Sequence, residues 1–216
     1  GDFSEAVKKS SEILAIRGRV LPSSVEDVTL CAQLNSKKII KGENNFSNCT
    51  ERIDNVFIEP SLALPLPETI QAIIKADAVI LGPGSLYTSV ICNLLVKDIP
   101  EAICRSNALK IYICNIMTQP GETDDYTASM HLKEVIKYLR QNCLDYVLVN
   151  NKKLDKKVAA KYHAEGSYPV KNDLNRKFDE KTNIIRQELL SEFNLVRHDS
   201  EKLAKLIMEI AHKEKK

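Results

Sequence analysis

Two short polar stretches of this chain carry groups able to hold an anion and a polar ring. The first is Gly82-Pro83-Gly84-Ser85, with Thr88 in the turn that follows. Glycines at 82 and 84 let backbone N–H groups approach a ligand with no Cβ in the way, and Ser85 and Thr88 add hydroxyl donors. If a helix starts here, its first N–H groups lack acceptors and its dipole favours negative charge, which suits a phosphate. The same residues equally suit a plain strand-to-helix turn with Ser85 as N-cap. As a bare pattern Gly-Pro-Gly-Ser is neither a Walker loop nor Gly-x-Gly-x-x-Gly. The second stretch runs from Asn115 through Thr118-Gln119-Pro120-Gly121-Glu122-Thr123-Asp124-Asp125. Pro120-Gly121 favours a sharp turn. Asn115, Thr118, Gln119 and Thr123 match the hydrogen-bonding edge of a base or sugar, and carboxylates such as Glu122 could bind ribose or hold Mg²⁺ through water. Asp124 and Asp125 read as helix caps. Arg17-Gly18-Arg19 can grip an anion in bidentate fashion; a helix C-cap accounts for Arg17, and Arg19 stays a candidate ligand residue. His198-Asp199-Ser200 reads as a helix cap rather than a catalytic pair.

The elements that must position these groups follow from apolar patterning. Ala78 to Leu81 is a short β-branched run, read as a strand buried on both faces. Leu86, Val90, Ile91, Leu94 and Leu95 then fall at helical spacing. Lys110 to Asn115 and Asp145 to Val149 are strands of the same kind, the second ending at Asn150-Asn151. Short helices are expected over residues 66–75 and 100–107, and a longer one over 126–140 with Met130, Val135, Ile136 and Leu139 inward. Three βα repeats imply a parallel, doubly wound α/β sheet with right-handed crossovers. Ligands in such sheets bind beyond the carboxyl ends of the strands, where both polar stretches and Asn150-Asn151 fall. Residues 27–59 alternate and turn like a small antiparallel insertion, so the expectation is one α/β domain over 1–216. Residues 1–16 read as a helix, 152–181 as irregular, 183–190 as a late strand, and the segment after Ser200 as a last helix with Leu203, Leu206, Ile207 and Ile210 inward.

Composition excludes several classes. With 44% hydrophobic and 28% charged residues the chain has material for a core. A net charge of +2 gives no bulk basic field for nucleic acid. No apolar run approaches the ~20 residues of a membrane span. Six cysteines, none spaced Cys-x-x-Cys, lie in scattered and mostly apolar contexts. They read as reduced thiols of a cytoplasmic protein rather than a disulfide framework. Four histidines without metal spacing make a zinc site unexpected.

The strings Arg17-Gly-Arg-Val-Leu-Pro22, Ile80-Leu-Gly-Pro-Gly-Ser-Leu-Tyr-Thr-Ser89, Asn93-Leu-Leu-Val96, Cys114-Asn-Ile-Met-Thr-Gln-Pro-Gly-Glu-Thr-Asp124 and Val196-Arg-His-Asp199 resemble the gluconeogenesis factor family, relatives of the 2-phospho-L-lactate transferases. The resemblance implies a Rossmann-like fold in a bacterial, cytoplasmic protein. It implies a nucleotide or UDP-sugar ligand and a role in cell shape and wall synthesis during gluconeogenic growth. The transferase relatives imply Mg²⁺ with a nucleotide diphosphate donor, so both a regulator and a phospholactyl transferase are expected candidates. Whether the protein is a homodimer is left open. The family begins with a strand, a glycine-rich turn and an Asp-Asp-Gly-Gly segment that this sequence lacks, so the chain reads as truncated at its N-terminus relative to the family. Cys92 stands where the family usually has proline, Asp125 where it usually has glycine, and Met130 at a usually polar position. The aspartate is the departure expected to alter the turn beside the ligand.

Overall fold

The computed structural model describes residues 18–175, 178–191 and 195–214. The helix expected over residues 1–16, and Arg17 with it, lie outside the described residues.

Two sheets organise the fold. Strands β1 (Thr29–Leu34), β2 (Ile39–Lys41) and β3 (Ile53–Glu59) form an antiparallel sheet in the order β2-β1-β3. Its alternating sequence puts Ala32, Leu34, Val56 and Ile58 on the buried face. Four further strands, β4 (Ala78–Leu81), β5 (Leu109–Ile113), β6 (Tyr146–Asn150) and β7 (Asn183–Gln187), pair in parallel in that order. Helices α1 (Pro67–Lys75), α3 (Ile99–Arg105), α4 (Ala128–Leu139) and α5 (Lys156–Ala164) fall in the connections. The helical segment after β4 opens as a π-helical stretch, Leu86–Ile91, and runs into α2 (Cys92–Leu94). Helix α6 (Ser200–Glu214) follows β7.

Both faces of the parallel sheet are covered, as an α/β fold requires. On one face Leu81, Tyr112, Cys114, Val147 and Val149 join Leu132, Val135 and Leu139 of α4, the buried side chains of the segment after β4, and the antiparallel sheet in one core. On the other face Ile111, Ile113, Tyr146 and Leu148 pack against Leu203, Leu206 and Ile210 of α6. The antiparallel sheet is fastened to α4 by polar bonds as well. The Tyr138 hydroxyl accepts from the Val56 N–H at 2.8 Å and donates to Asn55 Oδ1 at 2.7 Å.

Four expectations need correction. Strand β4 is not buried on both faces: Ala78, Val79 and Ile80 are half-buried, because β4 is an edge strand of the described sheet. The stretch 152–181 is not all irregular, since it holds α5, capped by Asp155 Oδ1 accepting from the N–H of Lys157 (2.8 Å) and Val158 (3.4 Å). No residue of α5 is buried, so it lacks the apolar stripe that periodicity detects. Helix α4 is capped by Thr127, whose Oγ1 accepts from the Met130 N–H, and not by Asp124 or Asp125. Finally, not every cysteine is a free thiol. Cys104 of α3 and Cys143, just before β6, are bonded across a Cα–Cα distance of 5.2 Å, a pairing that 39 residues of separation hide from sequence reading.

Candidate functional site

The segment joining β4 to its helix is a tight turn at the carboxyl edge of the sheet. Gly82 has φ +86, and a Cβ there would stand 3.1 Å from the Ile113 carbonyl oxygen of the neighbouring strand. A Cβ on Gly84 would meet the Ser89 Cβ at 2.9 Å. Gly82 is thus held by close backbone approach, and Gly84 by the Ser89 side chain packed against it. Ser85 is the N-cap: its Oγ accepts from the Thr88 N–H at 3.4 Å and donates to Glu122 Oε2 at 2.6 Å. Intrahelical donation begins at Ser89 and Val90, whose N–H groups share the Ser85 carbonyl at 3.0 Å each. Leu86, Tyr87 and Thr88 therefore precede the first helical bond, as in an ordinary α-helix, and the Thr88 N–H is taken by Ser85 Oγ. The N-cap role that one reading of this turn expected is present.

The loop after β5 is built differently. Asn115 Nδ2 donates to the Gly84 carbonyl at 2.9 Å, tying the two loops together and fixing the orientation of its amide. Its Oδ1 is buried with no partner, and so is Oε1 of Gln119. The rest of the loop is committed to architecture. Thr118 is buried: its N–H donates to the Tyr168 carbonyl at 2.7 Å, its Oγ1 accepts from the Tyr168 N–H at 2.9 Å, and its carbonyl accepts from Ser167 Oγ at 2.6 Å. Thr123 Oγ1 accepts from the Gln119 N–H at 2.9 Å, and Asp124 Oδ2 accepts from the Gly121 N–H at 2.7 Å. Gly121 (φ +76) faces the loop at Phe46 and Ser47, where a Cβ would overlap the Phe46 carbonyl oxygen.

One cavity of about 1010 Å³ joins these parts. Gly82, Pro83, Gly84, Ser85, Asn115 and Gln119 line it, and Ile80, Ile113 and the α6 residues Leu203, Ala204 and Ile207 give it an apolar wall. Thr88, Thr118, Gly121, Glu122 and Thr123 are not brought to its lining. Neither is Arg19, which is exposed. Glu122 sits behind Ser85. Burial raises its carboxyl above the ordinary carboxylate value, and the Ser85 hydroxyl opposes that rise. Asn150, expected at the same edge, is spent on its own turn: its Oδ1 accepts from the Leu189 N–H at 3.1 Å and its Nδ2 donates to the Lys152 carbonyl at 2.9 Å.

Reading the residues alone missed Arg197 and His198, which line the same cavity. The backbone after β7 doubles back as an antiparallel bridge between Leu190 and His198, with Ser191 donating to the Arg197 carbonyl and Asp199 to that of Leu189. That brings 196–198 to the cavity, while Asp199 Oδ1 caps α6 by accepting from the N–H of Glu201 and Lys202 at 3.1 Å each, as the cap reading expected. The available signal was position: this segment also follows a parallel strand. Burial lowers the His198 pKa, and the nearby Cys114 backbone opposes that fall, with burial the larger effect. The Cys114 thiol itself is pushed up to about 12 by burial.

A family model described as 2-phospho-L-lactate transferase CofD matches residues 1–190. The chain belongs to the CofD family. Curated relatives align with nearly the whole chain. The gluconeogenesis factor of Bacillus subtilis is 39% identical over 211 residues, covering 97% of this chain and 67% of that protein. A relative from Clostridium acetobutylicum is 44% identical over 213 residues, which is 96% of this chain and 47% of the relative. The chain thus spans about half to two thirds of these relatives. A crystal structure of a UPF0052-family protein from Bacillus halodurans superposes with a TM-score of 0.89 at 38% identity, covering 96% of this chain and 67% of that one. CofD-family membership and this neighbour agree with the α/β, Rossmann-like architecture described above.

The family model's description as a transferase raises the question of a Mg²⁺ site, and the donor set answers it. Among the described residues no Asp or Glu lines the cavity, and no group of three or more His, Cys, Asp or Glu converges. These residues do not fit a magnesium ion held by the protein, and no step is derived through one. Among the described residues no helix is long and apolar enough to cross a membrane.

Proposed function

We propose that this chain forms the nucleotide-sugar-binding part of a gluconeogenesis factor, with a UDP-sugar lying across the carboxyl edge of β4 and β5. The diphosphate rests on the backbone of Gly82 to Ser85, with the Arg197 guanidinium on the same wall, and the polar rings reach Asn115 and Gln119. The observation that carries this reading is the shared cavity: a donor-rich glycine turn and two amides with unpartnered oxygens line one hollow and are bonded to each other through Asn115 and Gly84. The lining hydroxyl of Ser85 is given to Glu122 and His198 Nε2 has no serine partner, an arrangement that favours binding over catalysis. In this reading the protein is a cytoplasmic regulator that supports cell shape and wall synthesis during gluconeogenic growth. Calorimetric titration of the full-length protein with UDP-glucose tests it. The expected result is saturable heat; a folded protein that gives none overturns the proposal.

The description of the family model favours a second reading, transfer of a phospholactyl group from a nucleotide diphosphate to a deazaflavin acceptor. Such chemistry asks the protein mainly for positioning and charge stabilisation. An assay for acceptor-dependent release of the nucleotide separates the two: turnover supports transfer, and binding without turnover supports the regulator.

A further inference from the structure

Ser85 lines the cavity, and Glu122 stands behind it, outside the lining. Ser85 Oγ and Glu122 Oε2 are 2.6 Å apart, the length of an O–H···O⁻ bond. Glu122 is buried, and the charged group that acts on it is another acid, Glu43 of the single turn Glu43–Asn45. A hydroxyl has one proton to give. While the Glu122 carboxyl is ionised, the Ser85 proton is committed to it. A phosphate on the backbone of Gly82 to Ser85 then meets a hydroxyl oxygen whose proton points away, with a second anion behind it. Protonation of the carboxyl reverses the bond. Glu122 then donates to Ser85 Oγ, which already accepts from the Thr88 N–H at 3.4 Å, so both lone pairs of the hydroxyl are filled. Its own proton is free for the cavity.

We propose that Glu122 is a positioning residue that acts through Ser85: when its carboxyl takes up a proton from solvent, the Ser85 hydroxyl turns from Glu122 to the ligand's diphosphate. This rests on the nucleotide-sugar reading and adds to it a dependence of affinity on acid. Ligand and proton strengthen each other's binding by the same factor. Burial raises the carboxyl above its ordinary value; the Ser85 bond opposes that rise and Glu43 adds to it. Other ionisable groups around this pair are committed or neutral. On the same loop, Asp124 Oδ2 accepts from the Gly121 N–H and Asp125 is exposed. In the helical segment after β4, the Tyr87 hydroxyl is bonded to that of Tyr126, and burial pushes the Cys92 thiol up to about 11. Arg197 and His198 line the cavity itself.

The experiment measures the affinity of the full-length protein for UDP-glucose from pH 8 to pH 5. The ligand's diphosphate is esterified at both ends and does not titrate in that range. Wild type is expected to bind about tenfold more tightly at the acid end. Glu122→Gln is neutral at every pH and its amide N–H can donate to Ser85 Oγ, so it should bind at the acid-end affinity throughout. Ser85→Ala has no hydroxyl to turn and should lose most of the rise. Calorimetry in two buffers of different ionisation enthalpy should show wild type taking up protons as UDP-glucose binds, and Glu122→Gln taking up none. A brace that only held the loops together would give no such profile. If Glu122→Gln keeps the wild-type profile, another group such as His198 titrates, and the inference is overturned while the nucleotide-sugar reading stands. A wild-type affinity that is flat or falls with acid overturns it in the same way. If UDP-glucose fails to bind at every pH, both fall. Urea denaturation checks that the variants fold; should Glu122→Gln not fold, a full rise retained in Ser85→Ala overturns the inference and its loss supports it.

Discussion

The two loops that close the cavity are built on opposite plans. The turn after β4 offers backbone donors and spends its side chain: the Ser85 hydroxyl is given to Glu122. The loop after β5 offers side-chain acceptors and spends its backbone: Gln119, Gly121 and Thr118 use their N–H groups within the fold. The difference teaches how to sort polar residues in a site. A polar residue type marks a candidate, but the candidates left free to meet a ligand are those whose partners the rest of the chain does not supply.

The sharpest way to break this comparison is to attack the scaffold half of the second loop. Gly121→Ala puts a Cβ into the Phe46 carbonyl at a positive φ. The expected cost is about 3 kcal/mol of unfolding free energy, read from urea denaturation. A cost under about 1 kcal/mol would mean that the loop does not press on residues 46–47. The next effect separates free from committed groups. Asn115→Ala should weaken UDP-glucose binding about tenfold. Thr118→Val, which removes the bond from the Tyr168 N–H, should cost about 1–2 kcal/mol of stability and leave affinity within about twofold. The reverse pattern would exchange the roles assigned to the two residues.

Ser85→Ala probes the spent side chain of the first loop. It leaves a buried Glu122 carboxylate without its donor. Burial already holds this carboxyl above the ordinary value in the folded state. Such a group contributes most stability when protonated, and the contribution is lost as pH rises from the ordinary carboxylate range through the folded value. Removing the hydroxyl raises that value further and deepens the loss. The variant should therefore be destabilised by about 1–2 kcal/mol more at pH 7 than at pH 4, read from denaturation at the two values. Equal destabilisation at both would show that Glu122 is protonated throughout.

Much of this plan was legible before the fold. The parallel strands announced themselves as apolar runs, and the glycine turn and the amide-bearing loop could be placed at one sheet edge from strand order alone. What was not legible was partnership. Thr118 looks like a ligand residue until Ser167 and Tyr168, 49 and 50 residues on, arrive to occupy it. Arg197 and His198 look like the approach to a helix until a single bridge to Leu190 turns them into the cavity. Cys104 and Cys143 look like two buried thiols until α3 and the turn before β6 meet. The first and third contacts are long-range and the second spans eight residues of irregular chain, and no local pattern encodes any of them.

The smallest effect concerns Asp125, the residue that stands where the family usually has glycine. It takes φ +60, so the left-handed turn survives the exchange. Aspartate tolerates that conformation better than most residues but with some strain, whereas glycine has none. Against this, glycine widens the unfolded ensemble, which costs about 0.4–1 kcal/mol. The two terms nearly cancel. Asp125→Gly should therefore change the unfolding free energy by less than about 1 kcal/mol, with UDP-glucose affinity unchanged. Asp125 is exposed and does not line the cavity, so its carboxylate has no ligand to lose. A drop in affinity beyond about threefold, with stability held, would mean that the second loop reaches the ligand through more than Asn115 and Gln119. The division between a donor loop and an acceptor loop would then have to be redrawn.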